Sequence, residues 1–502
     1  MKKIFSILVV LGVLATGCED ELTIFPEDSL SVPTFYKTEV DFEQAVNGAY
    51  APLRTVLNGT GGGPSGIYLK EMHSDNTYYA RNTAFGATEQ QEDLADFAVP
   101  TDQGITTNVH VQNVYVYNYQ VIARTNQILA TIDEAEFDGA AKNNIKGQAL
   151  FLRALAYFDL VQLFGSVPMH LVPVLSREDA ALPLSSEDEL YTQIISDASE
   201  AITLLPSKSQ QDPGRATSGA ARTLLANVHI VREQWAEAEA QARAVVESDE
   251  YMLMPDYADA FSGNSGNKNN MESVFEIQYK EGAEGLNGTF LYYSLPWPLD
   301  AEEVGSLMQT SNPQPLSGEG NNIPTPDILA AYEDGDLRKD ASITYVNSSG
   351  SFWRDGTYPI INKFLEPHSL HFNHGVNWPV YRYSEVLLFL AEALEEQGES
   401  GEALIYLNQV RTRAGLGDPT GDLGEAIFNE RRVELAFENK RWFDLVRTGR
   451  AVDVITAYGN RIKANPNDYY YPEGAEPRGN AFSNISLRYG LPASESSLNP
   501  NF

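Results

Sequence analysis

Apolar residues recur at helical spacing through most of the chain, and this periodicity constrains the fold more than any other feature of the sequence. Between positions 149 and 163, Ala149, Leu152, Leu160 and Leu163 repeat at intervals that place them on one helix face. The same periodicity predicts helices over 38–57, 111–164 (with a break at 137–141), 187–205, 218–232, 235–248, 384–397, 401–414, 425–439 and 441–448. Such faces have to be buried against one another, which predicts a mainly α fold.

Two of the predicted helix pairs carry small residues at matching positions. Ala226 and Ala238 are twelve positions apart, as are Ala391 and Ala403. Apolar residues follow at the same offsets in each pair: Ala242 and Val245 in the first, Leu407 and Val410 in the second. This spacing resembles the helical hairpin of tetratricopeptide repeats, and it predicts two such hairpins separated by an insertion. Two unrelated helical hairpins that share the spacing by chance are the alternative.

The composition changes in the middle of the chain. Residues 261–380 are rich in glycine, asparagine, proline and serine, with short apolar runs such as 273–279. This segment is therefore predicted to form a loop-rich lobe with a few small strands. We expect a helical region over 34–260 and a C-terminal region over 261–502, in which helices at 381–460 follow the lobe and an irregular tail occupies 461–502.

The first residues have the layout of a secretory signal. Lys2 and Lys3 precede an apolar run over 4–15, and small residues lead to Cys18, the single cysteine of the chain. We expect a signal peptide at 1–17, acylation of Cys18 and a tether at 18–33, with the membrane reached only through lipid. An ordinary signal peptide with a chance cysteine is the alternative. The acidic run after Cys18 resembles a surface-export signal, which implies a location facing the cell exterior.

The charge balance and the missing motifs exclude several classes of function. A net charge of −34 repels phosphate backbones, so we expect no nucleic-acid partner. The sequence contains no G-x-S-x-G elbow, no H-E-x-x-H pair, no P-loop and no dinucleotide-binding glycine fingerprint. We therefore expect no enzyme activity, no cofactor and no catalytic residues.

Three glutamates lie four residues apart on one predicted helix, at Glu430, Glu434 and Glu438. A glycosidase needs two carboxylates about 5 Å apart, and this spacing brings neighbours near that distance. Arginines stand beside them at Arg431, Arg432 and Arg441. We interpret the glutamates as partners in structural ion pairs with these arginines.

Three histidines, His368, His371 and His374, lie between Pro367 and Pro379. Three imidazoles are a known ligand set for zinc or nickel. An equal spacing of three does not by itself bring the rings together, and no carboxylate is interleaved. We interpret this segment as a solvated loop and expect no metal site.

Aromatic residues in loop-like sequence are the candidate ligand contacts. Loops lie at the surface, and a flat exposed ring can cover the apolar face of a sugar. The predicted glycan-binding rings are Tyr78, Tyr79, Tyr293, Trp297 and Trp353, with Asn76 and Arg81 as hydrogen-bonding neighbours. Packing of these rings beneath a long loop is the alternative.

Seven blocks of sequence form an ordered series, at 45–50, 151–158, 163–168, 332–338, 381–388, 429–438 and 441–447. Together and in this order they resemble the SusD/RagB family of outer-membrane nutrient-uptake lipoproteins. The likeness runs from about residue 26 to the end of the chain. It departs at the C-terminus, where Leu491-Pro492 and 499–502 replace the longer motifs common in the family.

The resemblance implies a tetratricopeptide-like helix-pair scaffold with a loop-rich face. It implies capture of a glycan outside the cell, and a SusC-like TonB-dependent transporter as the partner on which the protein sits as a lid. Capture of peptides by the same architecture is the alternative. A surface hydrolase lacks a supporting motif, and a tetratricopeptide adaptor would not explain the irregular lobe.

Overall fold

The computed structural model describes residues 35–58, 63–80, 89–98, 105–261, 267–296, 299–316, 320–348 and 356–501. The helices are α1 (Glu39–Leu57), α2 (Ser65–Lys70), α3 (Glu89–Ala95), α4 (Val109–Thr131), α5 (Gly139–Phe164), α6 (Arg177–Ala180), α7 (Glu187–Leu204), α8 (Ser218–Val231), α9 (Trp235–Val246), α10 (Phe290–Tyr293), α11 (Ala301–Met308), α12 (Pro326–Leu329), α13 (Arg338–Ser342), α14 (Tyr383–Glu396), α15 (Ser400–Arg413), α16 (Leu423–Glu434), α17 (Arg441–Arg447), α18 (Ala451–Ala464) and α19 (Ala493–Leu498). The strands are β1 (Thr77–Tyr78), β2 (Val167–Pro168), β3 (Leu184–Ser185), β4 (Ser273–Ile277), β5 (Ile323–Pro324), β6 (Ile343–Ser348), β7 (Gly356–Ile361) and β8 (Trp378–Arg382). The fold is mainly α, as the sequence predicts.

Helix ends follow local capping chemistry in several places. At the start of α1, Thr38 Oγ1 accepts from the backbone N–H of Asp41 at 3.3 Å, and Asp41 Oδ2 accepts from that of Thr38 at 2.7 Å. This reciprocal pair satisfies two amide donors that the first helical turn leaves free. At the end of α5, Gly165 has φ +71°, a conformation that glycine adopts without strain.

Some predicted boundaries are wrong. The helix expected over 425–439 ends at Glu434, and Phe437 and Asn439 take positive φ values of 69° and 63°. The C-terminal tail expected to be irregular contains the short helix α19 and the end of α18.

The helices pack in a continuous array in which each member contacts the next. The contacts run from α1 to α4, α5, α7, α8, α9, α14 and α15. Ala226, Ala238, Ala391 and Ala403 are fully buried, as close helix packing requires. Helix α9 packs directly on α14 although the lobe separates them in sequence, which confirms the prediction of two stacked hairpins with an insertion.

Among the described residues the strands form two-stranded antiparallel sheets, β1–β5, β2–β3, β4–β8 and β6–β7. The pair β6–β7 lies within the lobe, β1–β5 and β4–β8 each include at least one strand of the lobe, and β2–β3 lies in the N-terminal helical region. Strands β6 and β7 pair in one register, from Ile343 opposite Ile361 to Ser348 opposite Gly356. Strands β4 and β8 connect the lobe to the helix array, since β8 leads directly into α14 and Tyr383 N donates to Glu272 O at 2.8 Å.

The lengths and apolar content of the described helices decide whether any of them could cross a membrane. None of those within the described ranges has both the length and the apolar content that a bilayer crossing demands. The signal, the tether and Cys18 lie outside the described residues.

Candidate functional site

Three chain segments that contain or adjoin the predicted site residues meet at one place. Ala80 N donates to Gly320 O at 2.8 Å, Gly320 N donates to Leu295 O at 3.1 Å, and Asn321 N donates to Tyr293 O at 3.1 Å. Strand β1 pairs with β5 immediately beside these contacts. We call this meeting point of residues 76–80, 293–296 and 320–324 the three-segment junction. It brings the region of Tyr78 and Tyr79 next to Tyr293, although more than 200 residues separate them in sequence.

The surface exposure expected for Tyr78 and Tyr79 is wrong. Tyr78 is fully buried and Tyr79 is 3% exposed. Tyr79 Oη donates to Asp96 Oδ2 at 3.0 Å, Tyr78 Oη also donates to Asp96, and Tyr471 Oη lies 2.9 Å and 3.0 Å from the two hydroxyls. Burial and the Asp96 carboxylate hold the pKa of both phenols well above the ordinary value. These rings belong to the core beneath the junction, because a distant carboxylate and a distant tyrosine satisfy their hydroxyls.

Asn76 is also buried rather than exposed. Its amide nitrogen donates to Glu71 Oε1 at 3.2 Å, and its amide oxygen accepts from Arg432 Nε at 3.0 Å. Both ends of the side chain are therefore engaged inside the protein. The expectation that Asn76 lies at the surface beside a ligand is wrong, since it fastens the β1 segment to α16 instead.

Tyr293 is half-buried. Its ring packs edge-on against Phe372, with the ring centroids 5.8 Å apart. Of the predicted aromatic contacts within the described residues, it is the one that is only half-buried. Arg81, Trp297 and Trp353 lie outside the described residues.

The histidine segment packs under this region and is not the solvated loop that the sequence suggested. His368 is mostly buried and its Nε2 lies 2.5 Å from Tyr292 Oη, while His374 is fully buried. A Cβ built on Gly288 would lie 2.2 Å from His374 Cε1, so only glycine fits at position 288. Burial lowers the pKa of His374 well below the ordinary histidine value, which keeps the ring neutral.

Phe372 is a residue of this region that sequence reasoning missed. It stacks on Tyr292 with the centroids 4.3 Å apart and also contacts Tyr293. Its backbone has φ +55°, in the left-handed region. The sequence could have pointed to Phe372, because it is an aromatic residue among three histidines. Its positive φ could not have been predicted, because no neighbouring residue indicates it. Within the described ranges, no group of histidines and acidic side chains is arranged to hold a metal ion.

The three spaced glutamates take part in buried ion pairs, as predicted, but with other partners. Glu430 pairs with Arg338 and Arg411, Glu434 with Arg338, Arg382 and Arg413, and Glu438 with Arg382 and Lys363. The neighbouring arginines turn elsewhere: Arg431 contacts Asp444, and Arg432 and Arg441 contact Asp75. All three carboxylates are buried and ion-paired, which is the arrangement expected of scaffold residues.

Two family models match the chain. One, described as the SusD family, matches residues 353–501. The other, described as starch-binding and associating with the outer membrane, matches residues 27–230. Together they cover the N-terminal helices of the array and its last two helices, α14 and α15.

Curated relatives match along almost the whole chain. A SusD-like protein of Formosa agariphila is 27% identical over 497 residues, covering 90% of this chain and 91% of the relative. The starch-binding protein SusD of Bacteroides thetaiotaomicron is 23% identical over 576 residues, covering 100% of this chain and 98% of that protein.

Solved structures share the fold. A laminarin-binding SusD-like protein superposes with a TM-score of 0.73 at 24% identity, covering 92% of this chain and 98% of its own. Surface glycan-binding protein A from Bacteroides uniformis gives a TM-score of 0.73 at 22% identity, covering 93% of this chain and 99% of its own. The fold is therefore one that glycan-binding proteins use.

Proposed function

Since this chain belongs to the SusD-like family of glycan-binding proteins that associate with the outer membrane, we propose that it is a surface lipoprotein that captures an oligo- or polysaccharide. It would deliver this glycan to a SusC-like TonB-dependent transporter and act as the lid of that transporter. Cys18 would carry the lipid anchor, with the protein facing the cell exterior.

The three-segment junction is the observation that carries the glycan proposal. Tyr293 is half-buried there, whereas Tyr78 and Tyr79 are buried, and aromatic faces stack on sugars. Arg81 directly follows Ala80, and Trp297 directly follows Pro296. This connectivity supports a ligand face that contains Tyr293, Trp297 and Arg81, with Trp353 as a further proposed contact.

The chemistry of the chain favours a neutral ligand. Its net charge of −34 disfavours polyanions, whereas neutral sugars are recognised by stacking and hydrogen bonds. The relatives named for starch and laminarin suggest neutral glucans as the first panel to test.

Isothermal titration calorimetry with laminari- and malto-oligosaccharides tests the proposal. Tyr293→Ala and Trp297→Ala should each weaken binding about tenfold, because one aromatic stacking contact is worth about 1–3 kcal/mol. Tyr406→Ala is the matched control, since Tyr406 is a half-buried tyrosine of the helix array. It should bind as the unaltered protein does.

A pool of short peptides, titrated in parallel, distinguishes the alternative ligand class. Binding of peptides without binding of any glycan in a wider neutral polysaccharide panel would replace the glycan proposal. Unchanged glycan affinity in both Tyr293→Ala and Trp297→Ala would place the site away from the junction.

A further inference from the structure

A cavity lies between the helix array and the lobe, away from the three-segment junction. It has a volume of about 130 Å³ and is lined by residues of α1, α2, α4, α5, α8, β4, β8, α14, α16 and α17 and of the turn before α17. None of its lining residues belongs to the three-segment junction. Cavities at the boundary between two structural units are a common place for small-molecule sites.

Half-exposed apolar side chains converge on this cavity from five different elements. They are Val56 of α1, Leu155 of α5, Val231 of α8, Val380 of β8 and Phe443 of α17. Each packs against the core on one side and keeps apolar surface open on the other. A single apolar ring placed among them would remove surface from water on several sides at once, which is favourable at about 25 cal/mol per Å².

Phe443 shows that the cavity departs from simple core packing. The sequence places it beside Trp442 in a helix of scaffold residues, and Trp442 is indeed 1% exposed. Phe443 is instead half-buried, and its ring faces Lys70, whose Nζ lies 5.9 Å from the ring centroid. An exposed aromatic ring beside an ammonium group is a wall suited to a small ligand.

The cavity also offers hydrogen-bonding groups. Lys70 Nζ pairs with Asp159 Oδ1 at 2.5 Å, and an ammonium group has three N–H donors, so it retains capacity for another acceptor. Asn227 donates through its amide nitrogen to Tyr381 Oη at 3.1 Å, which leaves its amide oxygen to accept. One hydroxyl group can accept from a lysine and donate to an amide oxygen.

Charges in the lining balance one another. Four basic and four acidic side chains line the cavity, and Lys70 and Lys440 each have a carboxylate partner, Asp159 and Glu385. A charged ligand would lose its hydration without finding an unpaired opposite charge, which is costly in a mostly apolar site. The lining therefore favours a ligand with no net charge.

We propose that this cavity is a second binding site, for a small neutral amphiphile built from one six-membered apolar ring with one hydroxyl or carbonyl group. The size fits, since an apolar cavity of about 150 Å³ holds one benzene molecule. The ring lies among Val56, Leu155 and Phe443, and the polar group hydrogen-bonds Lys70. This site is independent of the proposed glycan face.

Ligand-observed NMR titration with three matched probes tests the proposal: benzyl alcohol, benzoate and benzylamine. Benzyl alcohol should bind saturably with a Kd of about 1 mM, as a ligand of this size allows. Benzoate and benzylamine should bind at least about tenfold more weakly, because each carries a charge that the lining does not pair.

Two variants locate the binding. Val231→Phe places a ring in the cavity and should abolish binding of benzyl alcohol, whereas Val246→Phe should leave it unchanged. These two valines are matched, since each is the last residue of its helix and partly buried, but only Val231 lines the cavity. Equal binding to both variants would overturn the proposal.

A polar variant provides a second test if Val231→Phe does not fold. Lys70→Met combined with Asp159→Asn removes the ion pair without leaving a lone carboxylate and should weaken benzyl alcohol about tenfold, the worth of one hydrogen bond to a charged group. Lys142→Met is the control, since Lys142 also lies over a phenylalanine ring but does not line the cavity. Unchanged affinity in the double variant, or no saturation of the unaltered protein up to about 10 mM, would also overturn the proposal.

Discussion

Arg382 Nη1 lies 2.9 Å from Glu434 Oε1, and neither side chain is more than 2% exposed. This contact joins β8 of the lobe to α16 of the helical part. Arg413 and Arg338 reach the same carboxylate, at 2.5 Å and 3.1 Å. Burial acts to raise the pKa of Glu434, but the three arginines hold it well below the usual range, so the group stays charged.

Glu434→Gln should therefore destabilise the protein strongly. It leaves three buried guanidinium groups short of a counter-charge, and removing one partner of a buried ion pair costs about 3–5 kcal/mol. Chemical denaturation measures the loss. Glu425→Gln is the control, because Glu425 pairs with Arg450 at 2.6 Å but is 53% exposed, and it should cost less than about 1 kcal/mol. Similar losses for the two variants would show that the buried network does not fasten the lobe.

Tyr78→Ala should unfold the region beneath the junction rather than act on ligand binding alone. The ring is fully buried, and truncating a large buried aromatic costs about 3–5 kcal/mol. Tyr78→Phe keeps the ring and removes only the hydroxyl that donates a hydrogen bond to Asp96, so it should lower the free energy of unfolding by about 1–3 kcal/mol. Thermal unfolding of both variants checks the order. A Tyr78→Ala protein as stable as the parent would show that this ring is not a core residue and would support a role in ligand binding.

Trp442→Ala should lower stability by about 3–5 kcal/mol while the folded fraction keeps its glycan affinity. Trp442 packs against His73 and Phe97 in the core, with centroid distances of 4.5 Å and 5.6 Å. Trp235→Ala, at a half-buried position in α9, should cost less. Calorimetry on the folded fraction separates the two effects, and lost binding in a stable Trp442→Ala protein would contradict the scaffold role.

His374 should make the protein less stable as the pH falls below about 6.5. Burial, aided by nearby His368 and Lys268, lowers the pKa of His374 in the folded state, whereas the unfolded chain takes up a proton near the ordinary value of about 6.5. The stability is present above that pH and declines below it by about 1.4 kcal/mol per pH unit.

His374→Asn isolates this contribution. An asparagine oxygen can replace Nδ1, which accepts from Val376 N at 3.3 Å, but it does not titrate. Denaturation at several pH values between about 5 and 7.5 should show a shallower decline in the variant than in the parent. Parallel curves would mean that His374 is charged in the folded protein.

Cys18→Ser should release a folded, water-soluble protein from the membrane. Stable anchoring requires two or more acyl chains, because one chain binds with K on the order of 10⁴ M⁻¹. Fractionation of cells lacking the transporter measures the release. Continued sedimentation of the variant with outer membranes would show a second mode of attachment.

Helix faces were predictable because their information is local. The alanines at Ala226 and Ala238 specify close packing within one hairpin, and the structure has that packing. The end of α16 was not predictable, since Phe437 N and Asn439 N donate to Glu71 at 3.0 Å and 2.8 Å. Glu71 lies hundreds of positions earlier in the chain, and no periodicity reveals such a partner.

The surface placement of Tyr78 and Tyr79 was wrong for a related reason. Tyr78 and Tyr79 stand in polar, loop-like sequence, which indicates the surface when only neighbours are considered. Asp96 and Tyr471 supply the hydroxyl partners that make burial favourable, and neither is close to the tyrosines in sequence. The ion-pair partners of Glu434 were hidden in the same way, since Arg338 comes from the lobe and Arg382 from the end of β8, far from Glu434 in sequence.

The direct packing of α9 on α14 makes the lobe an insertion whose two ends are held by neighbouring helices. For a loop closed in this way, the entropic cost rises only with the logarithm of its length, by about 0.6 kcal/mol for each doubling. Residues can therefore be added to or removed from the segment that carries Trp297 and Trp353 while the helices keep their register. Ligand preference can then diverge between descendants of one ancestral chain without each new preference requiring a new fold.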